Sequence, residues 1–304
     1  MSTEQQPGVV LRSQSGFFVV KTEQGEVQAR LRGRLKQGRK TVDLVAIGDV
    51  VEVSTQPDGR NMIESIKERK SKLSRMAPTA RGEYEQIIVS NLDQAVFVFA
   101  CADPQPRLRM LDRFLVIAEV QEIPAVIVAN KVDLVGKRAA KEIFGHYPTL
   151  GYPVIYTSAD KKDGIKALKK QLAGVLSVFA GPSGVGKSSL LNLVLPELAL
   201  DVSEVSESTG KGTHTTVFRQ LFPLGDGGYV ADTPGLKALA LWDVEPEELD
   251  GYFPELAPLV PDCQFSNCSH IDEPGCAVLA AVETGEINPA RYESYVRLRT
   301  QDEE

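Results

Sequence analysis

The chain has 304 residues, a hydrophobic fraction of 42% and a net charge of −7, which allows two or three domains and a sizeable core. No stretch approaches the ~20 unbroken apolar residues of a membrane helix, and the polar start Met1-Ser2-Thr3-Glu4 lacks the basic-then-apolar pattern of a signal peptide. A membrane protein is thereby disfavoured and a cytoplasmic one expected.

Residues 1–70 read as a small β-barrel. Short β-rich runs such as Val9-Val10-Leu11, Phe17-Phe18-Val19-Val20 and Val50-Val51-Glu52-Val53 are separated by Gly16, Gln24-Gly25, Gly48-Asp49 and Pro57-Asp58-Gly59, a turn spacing that suits a five-stranded oligonucleotide/oligosaccharide-binding (OB) barrel. The net charge argues against nucleic acid, but its distribution argues the other way. Arg30, Arg32, Arg34, Lys36, Arg39 and Lys40 follow one another with no acid between them, so the basic N-terminal part is expected to touch phosphate. Residues 71–84 are polar and basic, with Pro78, and read as a linker.

Over 85–245 the pattern changes to apolar strands alternating with amphipathic helices, among them 111–122 and 164–172. That alternation predicts an α/β domain with a parallel sheet covered on both faces. Along it, Asn130-Lys131-Val132-Asp133 follows the strand 125–129. A carboxylate at Asp133 can accept from N1–H and the 2-amino group of guanine, a donor pair that adenine lacks, while Asn130 and the Lys131 stem frame the base. After the next strand comes Thr157-Ser158-Ala159, where the Ala159 amide can meet the guanine O6, with Ser158 beside it.

The phosphate loop follows. Gly181-Pro182-Ser183-Gly184-Val185-Gly186-Lys187-Ser188-Ser189 fits G-x-x-x-x-G-K-[ST] between the strand 175–180 and a helix. Its glycines let backbone N–H groups converge on phosphate oxygens at a helix N-terminus. Lys187 reaches the β- and γ-phosphates, and Ser188 offers a hydroxyl to Mg²⁺. Downstream, Asp232-Thr233-Pro234-Gly235 ends a strand at the sheet edge where ligands bind, so Asp232 is expected to hold Mg²⁺ and the Gly235 amide to approach the γ-phosphate. The intervening segment 206–216 has no apolar anchor and reads as a mobile loop. Thr216 in it, with Thr215 close behind, is the candidate to complete the Mg²⁺ shell. The chain is thus expected to bind GTP and GDP and to hydrolyse GTP.

The order of these motifs is unusual, because the base-reading loops precede the phosphate loop. A sheet can be built with its termini moved, since domain ends lie at the surface, and the expectation is a circularly permuted GTPase domain. Beyond it, residues 246–304 carry Cys263, Cys268, His270 and Cys276. Three thiolates and one imidazole suit one tetrahedral, structural Zn²⁺. The segment looks poor in apolar residues, so metal binding is expected to supply its folding free energy. A helix is expected from 289 to about 300.

With these residues assembled, the chain resembles the circularly permuted GTPases of the ribosome small-subunit-dependent GTPase A family (RsgA, also called YjeQ) over nearly its whole length. The resemblance implies a late maturation factor of the small ribosomal subunit, stimulated by that subunit; separately, a monomer is expected. The barrel (Arg30, Arg32, Arg34, Lys36) and the zinc segment would then contact ribosomal RNA. It also implies a GTPase without the usual water-positioning glutamine: Leu236 follows Gly235, and His214 is the matching catalytic candidate. The alternative of another class is an RNA-binding translation regulator that uses GTP only as a conformational switch.

Overall fold

A computed structural model of the protein describes residues 5–36, 42–79, 82–196, 219–232 and 244–301. The N-terminal barrel consists of β1 (Gln5–Gln14), β2 (Phe17–Thr22), β3 (Gly25–Leu31), β4 (Val50–Thr55) and β5 (Asn61–Ile66). They hydrogen-bond in the order β1-β2-β3-β5-β4, and β4 returns to β1. Closure removes the sheet edges. The inward positions are Val10, Phe18, Val20, Ala29, Leu31, Val51, Val53 and Ile63, which form one buried cluster. A bulge between Val10 and Arg12 shifts the β1 register. Beyond it Arg12 and Ser13 pair with β12 (Arg219–Pro223). A bulge sharpens local strand twist, which lets one strand serve the barrel and the neighbouring sheet.

That sheet runs β10 (Val154–Tyr156), β9 (Ala125–Asn130), β8 (Gln94–Ala100), β11 (Leu176–Ala180), β13 (Tyr229–Asp232), β12. All its pairings are parallel except β12 with β13. Every residue of β8, β9 and β11 is buried. The pleat sends Ala95, Phe97 and Phe99 to one face and Val96, Val98 and Ala100 to the other, as a period of two requires. Helices α1 (Leu108–Val120) and α2 (Gly136–Phe144) cover the first face, and α3 (Ile165–Leu172) and α4 (Lys187–Val194) the second.

Residues 71–84 do not form a linker. They contribute β6 (Lys72–Thr79) and the start of β7 (Gly82–Ser90), an antiparallel hairpin. Leu73 and Val89 pair within it and are buried, an apolar contact that a linker would not make. The hairpin is fastened to the barrel by Arg69, whose guanidinium donates to both oxygens of the fully buried Asp49, 2.7 and 2.8 Å away. Ser90 donates to the same carboxylate at 2.7 Å. The charge of Arg69 is thus spent inside the molecule.

The C-terminal segment departs from expectation in a second respect. It has its own core of Leu249, Phe253, Leu256, Val278, Ala281, Ile287 and Tyr295, with Cys268, Cys276 and Val116 of α1 packed into it. Helices α5 (Ala277–Glu283) and α6 (Pro289–Thr300) and two 3₁₀ stretches, Pro246–Tyr252 and Ala257–Asp262, supply these residues. A buried polar cluster joins the segment to α1. Arg291, 1% exposed, meets Asp112 at 2.8 Å and Glu255 at 2.6 Å, and Tyr147 and Ser294 donate to Asp112 at 2.8 and 2.5 Å.

Candidate functional site

The phosphate loop leaves β11 and enters α4 at the C-terminal edge of the parallel strands, where an α/β sheet binds ligands. Gly181, Gly184 and Gly186 all have positive φ. A Cβ at Gly181 would lie 2.1 Å from the Val98 carbonyl oxygen, and one at Gly186 would lie 2.4 Å from Asn130 Nδ2. The loop can therefore follow this path only with glycine at those positions. Lys187, the first residue of α4, donates to the carbonyls of Gly181 and Pro182 at 2.9 and 2.6 Å. Its ammonium thus lies over the loop, within a short swing of any phosphate seated there. Ser188 is buried behind it, Val185 packs into the core, and Ser183 and Ser189 are half-buried.

The base-reading loop starts where β9 ends. Asn130 is fully buried, and its amide holds three loops together. Its Nδ2 donates to the Val185 carbonyl at 2.8 Å, while its Oδ1 accepts from the Thr157 hydroxyl at 3.0 Å and from the Ala159 amide at 3.2 Å. Asn130 therefore ties the loops of the site together, and the Ala159 N–H is engaged with Asn130. Lys131 adopts left-handed φ of 61° and its ammonium donates to the Asp103 carbonyl. That contact ties residues 101–107, which lead into α1, to the base-reading loop. Asp133 is exposed beside buried Val132, so its carboxylate faces outward from a rigid base. Ser158 is buried and closes a turn with Asp163, their backbones exchanging bonds of 3.1 and 3.0 Å. Cys101 follows β8 as a buried residue whose thiol is pushed up to about 11, mainly by burial, in keeping with a small hydrophobe rather than a nucleophile.

Asp232 is the last residue of β13, at the same edge, and its side chain lies outside the described part. Thr215, Thr216, His214 and Gly235 fall outside the described residues, as does the side chain of Lys36.

The four C-terminal ligand candidates converge. One donor atom from each of Cys263, Cys268, His270 and Cys276 lies within 4.8 Å of the others. His270 Nδ1 is 3.5 Å from Cys263 Sγ and 3.4 Å from Cys276 Sγ, and those two sulfurs are 3.9 Å apart. Zinc bond lengths of ~2.3 Å to sulfur and ~2.0 Å to nitrogen imply tetrahedral edges of about 3.8 Å between sulfurs and about 3.5 Å between nitrogen and sulfur. The donors fit one zinc. His270 Nε2 meets Asp250 Oδ2 at 3.1 Å, so the ring donates there and leaves the Nδ1 lone pair toward the thiols. Tyr295 and Tyr292 donate to the carbonyls of Ser269 and His270 at 2.9 and 2.7 Å. Glu273 accepts from three backbone amides at 2.6–3.3 Å, and the hydrogen bond from Ser269 leads the pull that holds its carboxyl well below the usual range. Asp250 has no signal in the sequence: it is one acid among many, twenty residues from its partner.

On the barrel, Arg30 is exposed and its guanidinium lies 4.3 Å from the centre of the Phe17 ring. Arg32 and Arg34 both reach the buried Glu64 at 3.3 Å. Half of the expected basic surface is thus partly neutralised by an acid thirty residues away, although both guanidinium groups stay open to solvent.

Comparison with known proteins agrees along the whole chain. The RsgA GTPase family model matches residues 66–242, and the RsgA N-terminal domain model matches residues 7–63. The chain is 46% identical over 295 residues to the small ribosomal subunit biogenesis GTPase RsgA of Gemmatimonas aurantiaca, covering 96% of each. It is 45% identical over 289 residues to that of Moorella thermoacetica, covering 95% of this chain and 94% of the relative. Among solved structures, YjeQ from Thermotoga maritima superposes with a TM-score of 0.79 at 37% identity, covering 98% of both chains. YloQ, described as a circularly permuted GTPase, does so at 0.76 with 32% identity, covering 98% of this chain and 95% of its own.

Proposed function

The chain belongs to the RsgA GTPase family, and from that premise we propose that it serves maturation of the small ribosomal subunit, hydrolysing GTP in response to that subunit. One observation carries the reading: the chain matches, from barrel to C-terminal segment, relatives named for small-subunit biogenesis. The translation-regulator alternative draws no support from them.

In this reading the amides of residues 181–189 hold the phosphates, and Lys187 turns from the Gly181 and Pro182 carbonyls onto the β- and γ-phosphates. Asp133 accepts from the guanine edge, and Lys131, tied to Asp103, lays its stem along the base. Asn130 keeps the phosphate loop and residues 157–159 at a constant separation, so a nucleotide meets both without reorganising them. Ser188, Thr216 and Asp232 are the residues that hold Mg²⁺, which, when bound, neutralises charge between the β- and γ-phosphates. The Gly235 amide approaches the γ-phosphate, and His214 orients the attacking water. The four C-terminal donors hold one structural zinc. Arg30, Arg32, Arg34 and Lys36 contact ribosomal RNA, the protein acting as a monomer in the cytoplasm.

The test is the rate of GTP hydrolysis with and without purified small subunits. Stimulation of at least about tenfold, equivalent to about 1.4 kcal/mol off the barrier, is expected, and His214→Ala should abolish it while leaving GTP affinity intact. An unstimulated rate with GTP still bound would refute the assignment to the subunit.

A further inference from the structure

We propose that the lysine stripe of α3, Lys166, Lys169 and Lys170, is a separate contact for RNA phosphates on the GTPase domain. The proposal rests on the functional reading above and adds a surface to it. Spacings of three and four residues put these side chains on one face of the helix. The opposite face carries Leu168 and Leu172, both fully buried against the sheet. All three lysines are exposed, as is Lys162 just before the helix.

Nothing inside the molecule accounts for this stripe. Helix α3 contains no acidic residue, and among the described residues no carboxylate pairs with Lys162, Lys166, Lys169 or Lys170. The nearest acid in sequence, Asp163, lies 3.1 Å from Lys137. Other helices behave differently: Arg138 pairs with Glu142 on α2, and Arg297 pairs with Glu293 on α6. Like charges three and four residues apart repel. Lys169 and Lys170 in the last turn favour the helix dipole, but Lys166 sits in the first turn, at its positive end. A chain with a net charge of −7 therefore carries an uncompensated positive strip that weakens its own helix.

The chemistry of the strip suits phosphate. It has no large apolar side chain: the exposed large hydrophobics among the described residues are Phe17, Leu134 and Phe265. A protein or bilayer partner needs apolar anchors, whereas phosphates need only mobile positive charge. Position adds to the case. The crossover from β10 to β11 lays α3 on the sheet face of Val96, Val98 and Val128, so the stripe and the barrel arginines lie on different domains. An RNA surface touching both would engage both domains at once. The turn leading into α3 is also closed by the Ser158–Asp163 bonds, and its Ala159 amide donates to Asn130, so the helix of the stripe begins from the hydrogen-bond network of the base-reading loop.

The experiment compares full-length protein with a Lys166→Gln/Lys169→Gln/Lys170→Gln variant and with the matching triple Lys→Arg variant. Affinity for purified small subunits is measured across a salt series, and subunit-free GTP turnover reports folding. The arginine variant should bind like the parent. The glutamine variant should bind on the order of tenfold more weakly near physiological salt and lose about 2 to 3 units of salt slope. If the triple glutamine protein does not fold, Lys169→Gln alone should remove about one unit. Unchanged affinity and slope would overturn the proposal, and so would weaker binding with an unchanged slope, which would mark a contact other than phosphate. If the parent itself fails to bind small subunits, the functional reading falls first and the stripe's assignment with it.

Discussion

The phosphate loop and the cluster around His270 reach their geometry by opposite means. In the loop the working groups are backbone amides, and the decisive residues are glycines with no room for a Cβ against Val98 and Asn130. In the cluster they are side-chain donors, brought within 4.8 Å of one another by 3₁₀ turns and one short helix. The loop inherits rigidity from a sheet whose neighbouring strands are wholly buried. The cluster has a smaller core of its own and leans on α1 through Arg291. The loop should thus keep its shape whether or not a ligand is present, whereas the cluster should depend on what its donors hold and on its anchor.

The sharpest way to break this contrast is to take the metal ligands away. Cys263→Ser with Cys276→Ser, or a strong chelator, should remove most of the ~10–16 kcal/mol of apparent binding free energy typical of such sites and open residues 257–276. Hydrogen exchange should show that loss there while the barrel and parallel sheet stay protected. Protection unchanged in the C-terminal segment would mean that its apolar core suffices.

Next in size is the anchor. Arg291→Ala leaves Asp112 and Glu255 buried without their cation, a situation that costs roughly 3–5 kcal/mol. Thermal unfolding should show the C-terminal segment melting earlier, and a shift below about 1 kcal/mol would show that the cluster holds itself. Asp133→Asn addresses the other region. Loss of a charged acceptor, worth up to about 3 kcal/mol, should weaken GTP binding by about a hundredfold and admit xanthosine triphosphate, with the melting temperature unchanged. If GTP affinity survives, Asp133 does not read the base. The smallest expected effect is at Asp250→Ala, which frees the far nitrogen of His270. Metal affinity should fall about 10- to 100-fold, as read by competition with a chromophoric chelator, and an unchanged affinity would mean that the thiols alone orient the site.

Local patterns were legible where a function needs contiguous residues. A phosphate loop must be an unbroken run of small residues between strand and helix, so residues 181–189 declared themselves, and so did the strand before Asn130. The spacing of Cys263, Cys268, His270 and Cys276 did the same for the metal donors. What escaped were residues whose role depends on a distant partner. The amide of Asn130 bonds Val185 and Ala159, partners that its neighbours in the chain do not announce. Nothing beside Arg69 in the chain marks Asp49, twenty residues away, as its partner. Residues 71–84 read as a linker because their composition is polar, although the buried pair Leu73 and Val89 makes them a hairpin.

By itself the sequence determined the barrel's turns, the alternation of strands and helices, the permuted order of the nucleotide motifs and the close spacing of Cys263, Cys268, His270 and Cys276. Each of these is a matter of neighbours along the chain, where spacing and chemistry are the same in the unfolded and folded states. Only the tertiary structure decided that Asn130 bonds both the phosphate loop and residues 157–159, that Glu64 draws in Arg32 and Arg34, and that Arg291 locks the C-terminal segment to α1 through a residue 179 positions away. Such pairs exist only after loop closure has been offset by burial of the surrounding core, and no local pattern announces which partners that burial will bring together.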